Sequence, residues 1–401
     1  MNAAGHAAVL ARPGRIGTLE LPNRLVRAAT SETMATPDGA ITPALEALYR
    51  RLAEGGAGLL ITGHTYVEPR GQYAPFQTGI DTEAKAEGWR RLVSGVHEAG
   101  GRIFAELAHA GSQSVVPGNT PVSPSVVPNA IFDTRPEELS PEGIEEIVEA
   151  FRAAAVRARA AGFDGIHIHG GNGYLISQFL SPLTNLRTDD WGGTPERRGR
   201  FLFEVYRAVR EAVGPNVPVT ARIGMADAVP GGLALQESLD RVAALREMGL
   251  DGVEPVYAVM RSYHDNIRPY VAVGALRALQ DWAFERIWRP RGEEAYYAPF
   301  GRAIKERCPD MPVILVGGLR TARAMESVIE AGRADFIAMA RPMVREPDLP
   351  RKLLGGGAAS AACVSCNMCL MHEGRHALQC WRTPRSRMWQ HLRLHHFGGK
   401  A

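Results

Sequence analysis

The chain has no long apolar run, almost no charge imbalance and few cysteines, and each shortage removes a class of function. None of its uninterrupted apolar segments reaches the roughly 18 residues that a bilayer-spanning helix needs. The opening MNAAGHAAVLARPGRIG lacks a basic start followed by a sustained hydrophobic stretch and a cleavage site. A cytoplasmic protein without membrane association is the expectation. Lys plus Arg total 46 against 43 Asp plus Glu, a formal charge of +3, which is too balanced for a nucleic-acid groove or a polybasic patch. Five cysteines in a cytoplasmic chain do not make a disulfide framework. What remains is 401 residues at 45% hydrophobic composition, enough to bury a large core as one big domain or two ordinary ones.

Short apolar runs alternate with helix-like segments along the body. Strands are predicted at 24–28, 58–62, 102–107, 164–169, 217–223, 252–256, 312–316 and 335–339. Helices are predicted at 43–54, 83–98, 141–161, 195–213, 235–248, 300–307 and 321–331. Eight parallel strands covered by helices fit an α/β (β/α)8 TIM barrel spanning residues 1–355, with a cysteine-containing basic extension at 356–401. A doubly wound sheet is the alternative, because periodicity does not show closure. Between the sixth and seventh strands lies an excursion at 257–299, rich in Tyr and Trp. It either packs as amphipathic helices or covers the barrel mouth.

The densest cluster of chemistry is Gly162–Gly193, GFDGIHIHGGNGYLISQFLSPLTNLRTDDWGG. His169 ends the fourth strand, and Asn172 and Tyr174 follow in a glycine-rich turn, so three hydrogen-bonding groups open onto one face. Singly, each has a plainer reading as a structural histidine, a turn residue and a packed ring. Together with PNRLVRAATS at 22–31, GAGLLITG at 56–63, AELAHAG at 105–111, the Arg222 strand, and PVILVGG and ADFIAMARPMVREPDLP near the end, the run resembles the Old Yellow Enzyme family. These pieces keep their order over most of residues 15–355.

The resemblance implies FMN as cofactor and NAD(P)H as reductant. Gly317 and Gly318 after the seventh strand, with Ala340 and Arg341 after the eighth, match the family's phosphate cradle, where glycine lets backbone approach closely. Arg222 matches the arginine beside the flavin pyrimidine. Ala29 and Ser31 correspond to positions flanking the ring, where relatives carry Pro and Thr or Cys, and Gly63 is also implied to lie against the cofactor. Glu106 departs from the family's usual glutamine. A carboxylate accepts but does not donate, so Glu106 is expected to lower the flavin potential, to be held protonated, or to turn away toward Arg102.

The resemblance further implies reduction of an alkene activated by a carbonyl or nitro group. His169 and Asn172 would grip the activating oxygen, and Tyr174 would protonate the α carbon. His167 lies on the same strand face as His169 and reads as a supporting residue, and His109 reads as scaffold.

Four cysteines fall in Cys363-x2-Cys366-x2-Cys369-x10-Cys380, a metal-type spacing. It resembles the cluster segment of the dienoyl-CoA reductase and trimethylamine dehydrogenase branch. A [4Fe-4S] cluster, a tetrahedral zinc and reduced thiols all remain open. With only 21 residues after Cys380, a cluster would exchange electrons with a separate partner. An amine dehydrogenase and a nonenzymatic flavin electron carrier are the alternatives to alkene reduction. The basic, histidine-rich residues 382–400 read by default as a solvated surface; the resemblance alternatively implies a homo-oligomer in which Trp381, Arg382 or Trp389 belongs to an arm completing a neighbour's site.

Overall fold

Each of the eight predicted apolar runs forms a strand in the computed structural model, which describes residues 8–259 and 294–396. They are β1 (Leu25–Arg27), β2 (Leu59–Ile61), β3 (Ile103–Ala108), β4 (Gly165–Gly170), β5 (Val219–Ala226), β6 (Gly252–Tyr257), β7 (Ile314–Leu315) and β8 (Phe336–Met339). All pair in parallel, in the order β6-β5-β4-β3-β2-β1-β8-β7. A parallel bridge between Val253 and Val313 brings β6 beside the start of β7, so the sheet closes on itself as a barrel.

Local chemistry starts the helices where the sequence predicts. α1 (Pro43–Glu54), α2 (Glu83–Glu98), α3 (Pro141–Ala160) and α5 (Pro195–Val213) begin after Thr42, Thr82, Ser140 and Thr194, whose side chains accept a backbone N–H of the first turn. Proline supplies the first helical residue of α1, α3 and α5, where its missing N–H costs nothing. The short α4 (Leu175–Leu180) follows Tyr174 directly. α6 (Leu235–Glu247), α7 (Ala298–Arg307), α8 (Ala322–Glu330), α9 (Arg341–Arg345) and α10 (Leu349–Leu354) complete the body, and α11 (Arg385–His396) ends the described chain.

Strand alternation sorts the core into two layers. Leu60, Ala105, Ile166 and Ile168 face the helices, while Ile61, Phe104, Ile314 and Phe336 fill the barrel interior. A hairpin of Gly14–Ile16 and Leu19–Leu21, absent from the sequence prediction, plugs the lower end through Ile16 and Leu21. Apolar residues thus pack the bottom of the barrel, and the upper interior positions are polar. No helix among the described residues is long and apolar enough to cross a membrane.

The cysteine segment folds back on the loop after β1. Leu378 N–H donates to Glu32 O at 2.7 Å, and Thr33 Oγ1 donates to His376 O at 2.7 Å. Trp381 and Arg382 are buried within this chain, with the Trp381 ring stacked on His372 at 3.6 Å. That placement corrects their expected role as a free arm; Trp389, on α11, is exposed. Most of the aromatic excursion, including Tyr263, Trp282 and Trp288, lies outside the described residues.

Candidate active site

The strand register sets charged side chains side by side inside the upper barrel. Glu106 on β3 is level with His167 on β4, and Arg222 on β5 is level with His169 and with Glu254 on β6. The Arg222 guanidinium donates to Glu254 Oε1 at 2.9 Å, and its Nη1 lies 3.4 Å from Glu106 Oε1. His167 Nε2 lies 3.5 Å from Glu254 and 3.7 Å from Glu106, while its Nδ1 contacts Thr220 Oγ1 at 2.8 Å. His167 is therefore a supporting residue beneath the cavity, as its strand position implied.

Two carboxyls share this arginine unequally. Burial raises the Glu254 carboxyl, but Arg222 and His167 outweigh burial and hold it below the usual range. Burial pushes Glu106 up to about 8 against the pull of Arg222, and Glu254 adds like-charge repulsion. Both Glu106 oxygens lack a hydrogen-bond partner among the described residues. Arg102 donates to Gly101 O instead, so the expected alternative of Glu106 turning toward Arg102 is overturned.

Above this layer opens a cavity of ≈ 200 Å³ at the C-terminal ends of the strands. Of the residues singled out from sequence, Ala29, Ser31, His169, Asn172, Tyr174, Arg222, Gly317, Gly318, Ala340 and Arg341 all line it. Gly317 and Gly318 have φ of 117° and 73°, values that side-chain-bearing residues rarely adopt, and a Cβ on Gly317 would meet the Tyr296 and Tyr297 rings. Asn172 itself has φ 57°, a left-handed turn held by its N–H to Tyr257 O at 2.9 Å.

Two predicted positions do not reach the cavity wall. Gly63 sits behind it, donating its N–H toward Glu32 Oε1 and the Tyr49 hydroxyl, both at 3.0 Å. A side chain there would strike Thr30 O, so the glycine is required by packing against the buried Arg27–Glu32–Tyr49 group. Glu106 lies one layer lower, reaching the cavity through Arg222. His109 pairs with Glu68 at 2.9 Å and accepts the Gly111 N–H, which suits its reading as scaffold.

The histidines facing the cavity are neutral at pH 7. Burial first, then Arg222, holds His169 well below the usual imidazole range. Its Nδ1 accepts the Gly171 N–H at 3.4 Å, which leaves the proton on Nε2. The sequence reading missed His64, which lines the same cavity directly after Gly63 and is lowered to about 4 by burial and Arg222. It also missed Glu254 and Glu373, whereas Tyr296 and Tyr297, at the end of the aromatic excursion, line the cavity at the barrel mouth. Glu373 arrives from the cysteine segment and hydrogen-bonds Ser31. Burial raises its carboxyl to about 7, against the lowering effect of Ser31.

Cys363, Cys366, Cys369 and Cys380 border one small cavity together with Arg341 and Arg345. Burial, then the neighbouring Cys366 and Cys363, holds the Cys369 thiol far above the usual range. No three His, Cys, Asp or Glu side chains among the described residues are arranged to hold a single metal ion. Arg341 borders both this cavity and the larger one, and its guanidinium donates to Asn367 of the cysteine segment.

A closed parallel barrel whose loops gather glycines, an arginine and a His/Asn/Tyr set over a buried arginine defines a flavin-binding oxidoreductase class. The NADH:flavin oxidoreductase / NADH oxidase family model matches residues 10–358, and the chain belongs to this family, that of the Old Yellow Enzymes. It is 36% identical to an NADH oxidase of Thermoanaerobacter brockii over 360 residues, covering 88% of this chain and 52% of that protein. An NADPH dehydrogenase of Geobacillus sp. is 33% identical over 343 residues, covering 85% and 92%. The solved structure of morphinone reductase superposes with a TM-score of 0.71 at 29% identity, covering 88% of this chain and 91% of that one. The chain spans about half the length of the Thermoanaerobacter relative and nearly all of the Geobacillus one.

Proposed function

We propose that the chain is an FMN-dependent ene-reductase that uses NAD(P)H to reduce an alkene conjugated to a carbonyl or nitro group. The observation that carries this reading is the convergence of His169, Asn172 and Tyr174 with Arg222, Gly317, Gly318 and Arg341 around one cavity. FMN, when bound, supplies two-electron hydride chemistry between the nicotinamide and the alkene.

The residues fit that cofactor. Gly317 and Gly318 present backbone to the phosphate, and Arg341 adds charge. Ala29 and Ser31 would flank the ring, and Ala340 would belong to the phosphate cradle. Arg222 would stabilise negative charge on its pyrimidine side, and Glu106, one layer below the cavity wall, would act on the cofactor through Arg222.

The reacting face is built for an acceptor oxygen. His169 Nε2–H and the Asn172 amide donate to the carbonyl or nitro oxygen, where charge develops, and Tyr174 gives its proton to the α carbon. Neutral histidines above a buried arginine favour an oxygen that becomes negative over a cationic amine, which weighs against amine oxidation. The reaction is tested by supplying anaerobic, NAD(P)H-reduced holoenzyme with cyclohexenone, which should reoxidise the flavin; no reoxidation by enones or nitroalkenes would refute it.

The four cysteines suit a [4Fe-4S] cluster better than zinc. All four border one small cavity, and Arg341, Arg345 and Arg382 beside them would offset a cluster's negative charge. Arg341, which borders both this cavity and the larger one, would connect a cluster site to the flavin site.

A further inference from the structure

His64 enters the cavity from the loop after β2, and its ring contacts the two groups assigned to catalysis. Its centroid is 5.3 Å from the Tyr174 ring and 6.2 Å from the His169 ring. Its Nε2 lies 3.3 Å from the Tyr174 hydroxyl. Nothing in the reaction as described so far uses it.

The direction of the hydrogen bond between His64 and Tyr174 follows from Gln77. Tyr73 N–H donates to Gln77 Oε1 at 2.5 Å, so the oxygen end of that amide points away from His64. The Gln77 Nε2 end lies 2.7 Å from His64 O and 2.7 Å from His64 Nδ1. A carbonyl oxygen accepts only, and a backbone N–H donates only, so both ends of the Gln77 amide are assigned. Nδ1 must then accept, and in a neutral imidazole the single proton sits on Nε2. His64 stays neutral because burial and the facing Arg222 both oppose a second proton; the other ring at that face, His169, is neutral as well.

We infer that His64 is a positioning residue for Tyr174: its Nε2–H donates to the phenolic oxygen, so the tyrosine hydrogen is not spent on His64 and is directed to the substrate. This rests on the proposed alkene reduction. In that reaction the Tyr174 O–H bond breaks and a C–H bond forms at the α carbon, while hydride from NAD(P)H, carried by the flavin, has reached the β carbon. The phenolate left behind keeps the His64 Nε2–H hydrogen bond, which strengthens when its acceptor becomes charged, and a solvent proton restores the phenol. The reverse tautomer would have Tyr174 donate to His64 and would withhold the proton. Gln77 thus sets the sense of a chain running Gln77, His64, Tyr174, substrate.

The test measures both half-reactions of the holoenzyme by anaerobic stopped flow. His64→Phe should slow cyclohexenone-driven flavin reoxidation about tenfold, the loss expected for one hydrogen bond to a developing charge, and slow NAD(P)H-driven reduction much less. His64→Gln, which keeps an N–H near the phenol, should recover most of the rate. In a Tyr174→Phe background His64→Phe should add nothing, and additive losses would overturn the inference. Nitrogen-15 spectra of histidine-labelled protein at pH 7 should place the His64 proton on Nε2; a proton on Nδ1 would overturn it without reference to activity. If Tyr174→Phe alone leaves reoxidation unchanged, the alkene-reduction reading itself fails, whereas a slow Tyr174→Phe enzyme beside an unaffected His64→Phe enzyme sinks only the His64 role.

Discussion

Replacing Glu106 by glutamine removes a titration that the fold holds far from its ordinary range. The carboxyl is fully enclosed, with Arg222 at 3.4 Å and no hydrogen bond to either oxygen among the described residues. Its ordinary value of 4.5 rises to about 8 in the folded chain. Between those values the folded protein keeps a proton that the unfolded chain has released, so stability is present below pH 4.5 and declines as pH rises to 8. At ~1.4 kcal/mol per pH unit the window amounts to about 5 kcal/mol. Glu106→Gln is neutral throughout and lacks this decline. For a protein of this size that difference should appear as a melting-temperature gap on the order of 5 °C, small at pH 5 and full at pH 9. Thermal melts of both proteins across that range make the comparison. Parallel profiles would refute the raised carboxyl. The same substitution should raise the two-electron midpoint potential of the holoenzyme chiefly above pH 8, where ionised Glu106 opposes charge on the reduced flavin.

Tyr174→Phe should slow alkene reduction by about 10²-fold or more, while NAD(P)H-driven flavin reduction changes little; rapid-mixing kinetics with equal slowing of both steps would count against a proton donor. His169→Ala should retain FMN yet weaken binding of phenolic or carbonyl ligands by about ten- to a hundredfold, the range for a hydrogen bond to a charged oxygen; a spectral titration with unchanged affinity would remove the oxygen grip. Anaerobically purified protein should contain about four iron and four acid-labile sulfide per chain, and Cys363→Ser should lower both; stoichiometric zinc without sulfide would replace the cluster.

The barrel was legible because its signals are local. Apolar runs mark strands such as β3 and β4, and Thr or Ser before Pro marks the starts of α1, α3 and α5, so those boundaries match within a residue or two. The His169, Asn172 and Tyr174 set was legible because a strand end and a glycine turn place it in one short segment. His64 and Glu254 were not, since a polar residue beside an apolar run has no pattern of its own until the barrel closes and turns it inward. Glu373 is farther still in sequence from Ser31, and only the fold-back of the cysteine segment brings the two together. The helix α11 was hidden by its charge and histidine content, which read as a solvated tail. Trp381 was misread for the opposite reason: an aromatic near the chain's end suggested an arm, whereas stacking on His372 buries it.

The central claim is that this cavity binds FMN and passes hydride to an alkene only when an oxygen can take the charge. Protein reduced anaerobically with NAD(P)H should therefore be reoxidised by cyclohexenone and remain reduced with cyclohexene, the flavin absorbance being followed in both. Equal rates with the two alkenes, or a flavin that neither one reoxidises, would contradict the account.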